Sequence, residues 1–89
     1  MVFSAGQKVI IKDLDTVCRE TGSSKKMFNK DFFDKCGNKT GIIKKNSGST
    51  SSVLLLENCG DRWHKGDSYQ LGNEILKLFP LLPDYLFKL

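Results

Sequence analysis

Arginine is nearly missing from this chain: Arg19 and Arg62 stand against twelve lysines. Guanidinium forks are the usual means of gripping phosphates and carboxylates with two parallel hydrogen bonds, so recognition of that kind is disfavoured. Cysteine is scarce as well. Cys18, Cys36 and Cys59 are odd in number and widely spaced. A small secreted scaffold pairs its cysteines, and structural zinc takes them in C-x₂₋₄-C knuckles; neither pattern is here. The expectation is therefore reduced thiols, a cytoplasmic setting, no metal and no cofactor, even though His64 brings the ligand count to a nominal Cys₃His. No run of about 18 apolar residues is present to span a bilayer. The opening "MVFSAGQKV" lacks a basic stretch followed by a long apolar one, so no signal peptide is expected.

Catalytic patterns are equally thin. Cys59 and His64 straddle a turn with no third group to orient the imidazole, so a nucleophile–base pair is not expected. "GNKTG" at 37–41 has its lysine before the last glycine and an apolar run behind it, the reverse of a phosphate loop. The chain is read as non-enzymatic.

What is present suits one small domain. The 89 residues are 39% hydrophobic and 27% charged, and a chain of that size buries only about 60–65% of its unfolded surface. The net charge of +4 is uneven: residues 1–45 hold ten basic and five acidic side chains, residues 46–89 four and five. A basic half attracts nucleic acid or an acidic protein surface, and it also serves simply as a solvated face that keeps a small protein soluble.

Periodicity divides the chain. "KVII" at 8–11 is β-rich. In "DLDTVCRE", Leu14, Val17 and Cys18 recur at helical spacing behind a potential Asp13 cap, and Gly22-Ser23-Ser24 ends the segment. "MFNKDFFDKCG" places Phe28, Phe32, Phe33 and Cys36 on one side, with Gly37 at the position of a C-terminal glycine cap. Beyond it "TGIIKK" reads as a strand, "NSGSTSS" as a polar loop, "VLLLE" as a strand too apolar to be half exposed, "NCGD" as a tight turn and "RWHK" as its partner strand. "GDSYQL" reads as an irregular or 3₁₀ turn, and "EILKLF" as a closing strand before Pro80. Lys44 and Lys45 should alternate faces, so that only one shares a surface with Lys39.

Short strands with a helical excursion between the first two are the plan of a small β-barrel, which hides its edges and so manages without disulfides. "KVIIKDLDTV" (8–17), "CGNKTGIIKK" (36–45) and Trp63 of "GDRWHKGDSYQL" (60–71) carry a resemblance to the SH3-like repeats of the Mind bomb type. Single-domain SH3-like proteins of bacteria and phages look similar over the second half. The resemblance implies a mainly β fold with short helices: an SH3-like barrel of about five strands over residues 1–79, with a helical insertion at about 13–36. It also implies a peptide-binding role, as in a small adaptor or inhibitor of the phage or bacterial accessory kind. The apolar segment 80–89 has no counterpart there.

Two surfaces are candidates for contact. Lys35, Lys39 and Lys44 belong to a lysine-rich stretch, 25–45, suited to an acidic protein surface or, as the alternative function, to nucleic acid. Trp63 and Tyr69 are the aromatics for a peptide groove, although Trp63 also suits a core position. From Ile75 to Leu89 ten of fifteen residues are apolar or aromatic, so Tyr85 and Phe87 join the candidates. That segment must pack on its own barrel, on a partner or in a homodimer. It is too short and too poor in basic residues to be read as a membrane anchor.

Overall fold

The computed structural model describes residues 2–80. Five antiparallel strands form one sheet: β1 (Lys8–Ile11), β2 (Thr40–Ser47), β3 (Thr50–Leu55), β4 (Ser68–Gly72) and β5 (Leu76–Leu78). Two helices, α1 (Leu14–Thr21) and α2 (Lys30–Cys36), separate β1 from β2, with 3₁₀ turns at Lys25–Met27 and Asn73–Ile75. The fold is thus mainly β, with the helical insertion where the sequence places it.

The order across the sheet is β4-β3-β2-β1-β5. Its two edge strands, β4 and β5, are neighbours in sequence, joined only by Asn73–Ile75. Three residues cannot span a flat sheet of five strands, so the sheet must curl until its edges nearly meet. It remains open, because β4 and β5 do not pair, and a closed barrel is not formed.

Local chemistry explains both helices. Asp13 accepts from the Thr16 amide at 2.7 Å and caps α1, which buries Leu14 and Val17. Gly22, at φ 72°, ends it with its amide on the Cys18 carbonyl; only glycine enters that region without a Cβ penalty. Asn29 caps α2 through the Phe32 amide at 3.1 Å, and Phe32, Phe33 and Cys36 face inward. The end of α2 differs from expectation. Gly37 has φ −56°, and the left-handed residue is Asn38 at 67°. Glycine is needed at 37 for room, since a Cβ there would lie 2.7 Å from the Phe33 carbonyl oxygen.

The core lies on the concave face of the sheet. Val9, Ile11, Ile43, Val53, Leu55 and Leu76 meet Leu14 and Val17 of α1 and Phe32, Phe33 and Cys36 of α2, with Phe3 and Cys59 completing the cluster. One polar side chain is wholly buried, Ser51, and a small network satisfies it. Its hydroxyl donates to Asn73 Oδ1 at 2.7 Å and accepts from Asn46 Nδ2 at 2.9 Å. Asn73 Nδ2 donates in turn to the Gly48 carbonyl at 2.8 Å, so the β2–β3 hairpin tip is tied to the turn before β5.

Five expectations about the second half are corrected. "NSGSTSS" is not one loop, because β2 runs to Ser47 and β3 begins at Thr50. Ser51 enters the core on the alternation of β3, an inward position that serine content alone disguised. "RWHK" is not the third meander strand. Trp63 folds back on its own turn, the Cys59 amide donating to the Trp63 carbonyl at 2.7 Å and the Lys65 amide to Asn58 Oδ1 at 2.8 Å. β4 is formed instead by "SYQLG", whose exposed and half-buried residues alternate as a strand requires, and the 3₁₀ turn follows it. β3 is not sunk on both faces: Leu54 and Leu56 are half-buried, between buried Val53 and Leu55. Finally, Lys44 and Lys45 are both exposed, because a bulge between Ile43 and Lys45 interrupts the alternation. Among the described residues no helix is long and apolar enough to cross a membrane.

Candidate functional site

An apolar groove lies between β4 and the helical insertion. One wall is the inner side of β4, Tyr69 and Leu71, with Ile75 from the turn beyond it. The other is Met27 and Phe28 from the first 3₁₀ turn and its end, Phe32 of α2, and Trp63 from the 59–63 turn. Between these walls is a cavity of about 350 Å³, within the size range of small-ligand and side-chain pockets.

The aromatic residues of the groove are held by one another. Phe28 meets Phe33 edge to face at 5.8 Å between centroids, Phe33 meets Phe32 at 5.6 Å, and Phe32 meets Trp63 at 5.4 Å. Each such contact contributes roughly 0.5–1.5 kcal/mol beyond its buried area. The result is a stiff wall, two of whose rings, Phe32 and Phe33, are buried while Phe28 and Trp63 are only half-buried. Arg62 lies over the Trp63 ring at 5.8 Å and reaches Asp31 of α2 at 3.3 Å, bracing the turn against the helix. Met27 at the rim is 74% exposed, a large unbranched side chain left in water beside an apolar cavity.

Polar groups at the groove are few. Asn29 is engaged as the α2 cap, and Gln70 donates to Thr50 Oγ1 at 2.6 Å. The Tyr69 hydroxyl donates to Asp67 at 3.4 Å. Partial burial, followed by the Asp67 charge, raises the Tyr69 pKa above the ordinary tyrosine value. The phenol stays neutral at physiological pH and serves as an apolar body with one polar tip.

Two other concavities hold the protein's own charges. In the cleft between α1 and β5, the Lys12 ammonium sits 2.7 Å from Glu20 and donates to the Glu74 carbonyl at 3.1 Å. The cleft between the helices contains Lys25 paired with Asp15 at 2.8 Å. Among the described residues no three of His, Cys, Asp and Glu converge. Cys36 and Cys59 are fully buried and adjacent, and burial, followed by hydrogen bonding to Cys59, drives the Cys36 thiol far up. Such a thiol is a core side chain and not a nucleophile. Cys18 is half-buried on α1, while His64 is exposed and stands apart.

Of the residues singled out from sequence, the structure brings Trp63 and Tyr69 together on facing walls of the groove. The lysines do not join them. Lys35 projects from the last turn of α2 and lays its stem near Gly60, Lys39 follows α2 in the connection to β2, and Lys44 sits at the bulge farther along that strand. None of the three has a carboxylate partner among the described residues. Tyr85 and Phe87 lie outside the described residues. Sequence reading missed Met27, Phe28, Leu71 and Ile75 as groove residues. The alternation in "SYQLG" was the available signal for Leu71; nothing in the sequence marks Met27, which is distinguished only by what lies beside it.

Comparison with known proteins gives no match to a family model, to a curated protein or to a solved structure.

Proposed function

We propose that this chain is a small non-enzymatic binding module of SH3-like type, an adaptor or inhibitor whose aromatic groove takes a short apolar segment of a partner protein. The observation that carries the reading is the groove itself: rigid rings on one wall, Tyr69 on the other, and Met27 exposed at the lip. Rigid aromatics give large contact area at little entropic cost, and an unbranched methionine adapts to what docks beside it. The strand order, with the first strand between the second and the last, supports the SH3-like assignment.

The test is selection of peptides from a random displayed library on the purified protein, read by the emission of the only tryptophan, Trp63. Selected peptides should share apolar or aromatic anchors, shift that emission saturably, and bind with little salt dependence. Tyr69→Ala and Met27→Asp should each weaken binding at least tenfold, as truncation at an interface hot spot does. A nucleic-acid module would behave otherwise. Its affinity would fall steeply with salt as counterions are released, and Lys35→Glu with Lys39→Glu would abolish it while Tyr69→Ala would not. The unpaired lysines favour that second reading; the absence of any of the three from the aromatic groove favours the first.

A further inference from the structure

The convex face of the sheet carries an apolar strip that the core does not use. Register places Lys8 opposite Ile42, and Ile42 opposite Leu54. Phe79 continues the row at one edge: its amide donates to the Lys8 carbonyl at 2.9 Å, and the Lys8 ammonium lies 4.0 Å from its ring. Ile10 and Leu56 lie in the adjoining row, with Lys77 opposite Ile10. Ile10, Ile42, Leu54 and Leu56 are each half-buried, yet none is among the half-buried residues packed against the core. Four large aliphatics and a phenylalanine on one side of a five-stranded sheet form a contiguous patch, of a kind that monomeric domains usually cover.

The chain itself supplies a cover at the right place. Pro80 leaves the strip at Phe79, and the nine residues that follow, "LLPDYLFKL", include six apolar or aromatic side chains. From β5 to β3 is three strand spacings, about 14 Å, whereas nine residues reach about 30 Å when extended. A segment tethered this closely acts at an effective concentration of order millimolar, so it outcompetes a second copy at the micromolar concentrations at which the protein would be handled. Lys8 stands within the strip, between Phe79 and Ile42, and Lys77 at its edge; Asp84 is the one acidic residue of the segment.

We propose that the convex strip formed by Phe79, Ile42 and Leu54, with Ile10 and Leu56 beside it, is the docking surface for the chain's own residues 81–89. This is a different face from the aromatic groove and stands whether or not the groove binds peptide. It assigns Tyr85 and Phe87 to the protein's own sheet and not to a partner.

The experiment is a double-mutant cycle in the full chain, with Leu54→Thr on the strip and Phe87→Ser in the segment. Threonine keeps the strand propensity of position 54 and removes its apolar reach. Each single variant should lower the thermal midpoint by about 4–8 °C, the shift that 1 kcal/mol produces in a domain of this size. The double variant should lose clearly less than the two shifts together, since both remove the same contact. Strict additivity, or no shift for Phe87→Ser, overturns the proposal. So does a midpoint that rises with protein concentration, because the segment would then be covering another copy. Should Leu54→Thr fail to fold, methyl-to-ring nuclear Overhauser contacts in the unmodified chain decide the matter. Contacts from Ile42 or Leu54 to Tyr85 or Phe87 at dilute concentration support it, and their absence to every residue of 81–89 sinks it.

Discussion

Gly41 is the position at which one added methyl group tests the described packing most directly. It lies on the concave face of β2, between Val9 of β1 and Leu55 of β3. A Cβ built there would stand 2.5 Å from Val53 Cγ1 and 3.0 Å from the Leu54 carbonyl oxygen. Its backbone φ is ordinary, so Gly41→Ala carries no left-handed strain and whatever it costs is steric. Val53 is fully buried, so any shift it makes must displace its neighbours in the core. Overpacking of this kind costs about 1–3 kcal/mol, or a midpoint lowered by about 4–24 °C in a domain of this length. Val53→Ala alone removes two buried methyls, at about 2 kcal/mol. In the double variant the closer of the two clashes is gone, so the combined loss should fall short of additivity by about 1 kcal/mol. Urea unfolding with an unchanged slope would measure all three variants on one scale. Because Val53 is paired with Tyr69, the single Gly41→Ala change should also loosen the groove wall and weaken peptide binding, and Val53→Ala should partly restore it. A neutral Gly41→Ala, or additivity with Val53→Ala, would refute the packing described for the sheet.

Asn73→Ala takes the acceptor from the buried Ser51 hydroxyl and leaves the Gly48 carbonyl only its longer bond from Asn46; it should cost about 1–3 kcal/mol and speed amide exchange in β4, measured by hydrogen exchange. Glu57 accepts from the Thr40 hydroxyl and amide, both at 2.8 Å, and these bonds hold its pKa below the ordinary glutamate value. A depressed carboxylate stabilises the fold above its unfolded pKa and loses that contribution as pH falls through the folded one. Acid unfolding of Glu57→Gln should therefore show a shallower loss of stability below about pH 4.5 than the unmodified chain. Thiol labelling in the native state should modify Cys18 quickly and Cys36 and Cys59 only at the rate of opening, as they are fully buried; three equally fast thiols would contradict the core.

The helical half was the more legible in sequence because its signals are local. Asp13 and Asn29 cap, Gly22 stops, and the Phe32, Phe33, Cys36 spacing marks a buried side, all within one or two turns of chain. In the second half local signals misled. Serine content hid the inward Ser51, and the bulk of Trp63 suggested a strand where a turn closes on itself. The weak alternation of Ser68, Tyr69, Gln70 and Leu71 was the true strand, legible only once its exposures were known. Of the candidate contact residues, Trp63 and Tyr69 were visible as aromatics, but their facing each other was not. They come from a turn and a strand whose meeting depends on the curl of the whole sheet.

What the sequence by itself determined is the inventory and the order of parts: one small basic domain, strands before and after a helical insertion, thiols too scattered for a knuckle, and an apolar segment from Ile75 onward. These are set by spacing along the chain, by capping chemistry and by composition, each of which acts over a few residues. Only the tertiary structure decided that the sheet curls without closing. That outcome comes from joining two opposite edge strands by three residues, Asn73–Ile75, while the Asn46–Ser51–Asn73 network pins the joint to the far hairpin. The approach of β4 to the helical insertion turns core aromatics into the wall of a groove, and the strand register gathers Ile42, Leu54 and Phe79 on the opposite face. Both surfaces arise from residues distant in sequence, brought together by pairing that no local pattern encodes.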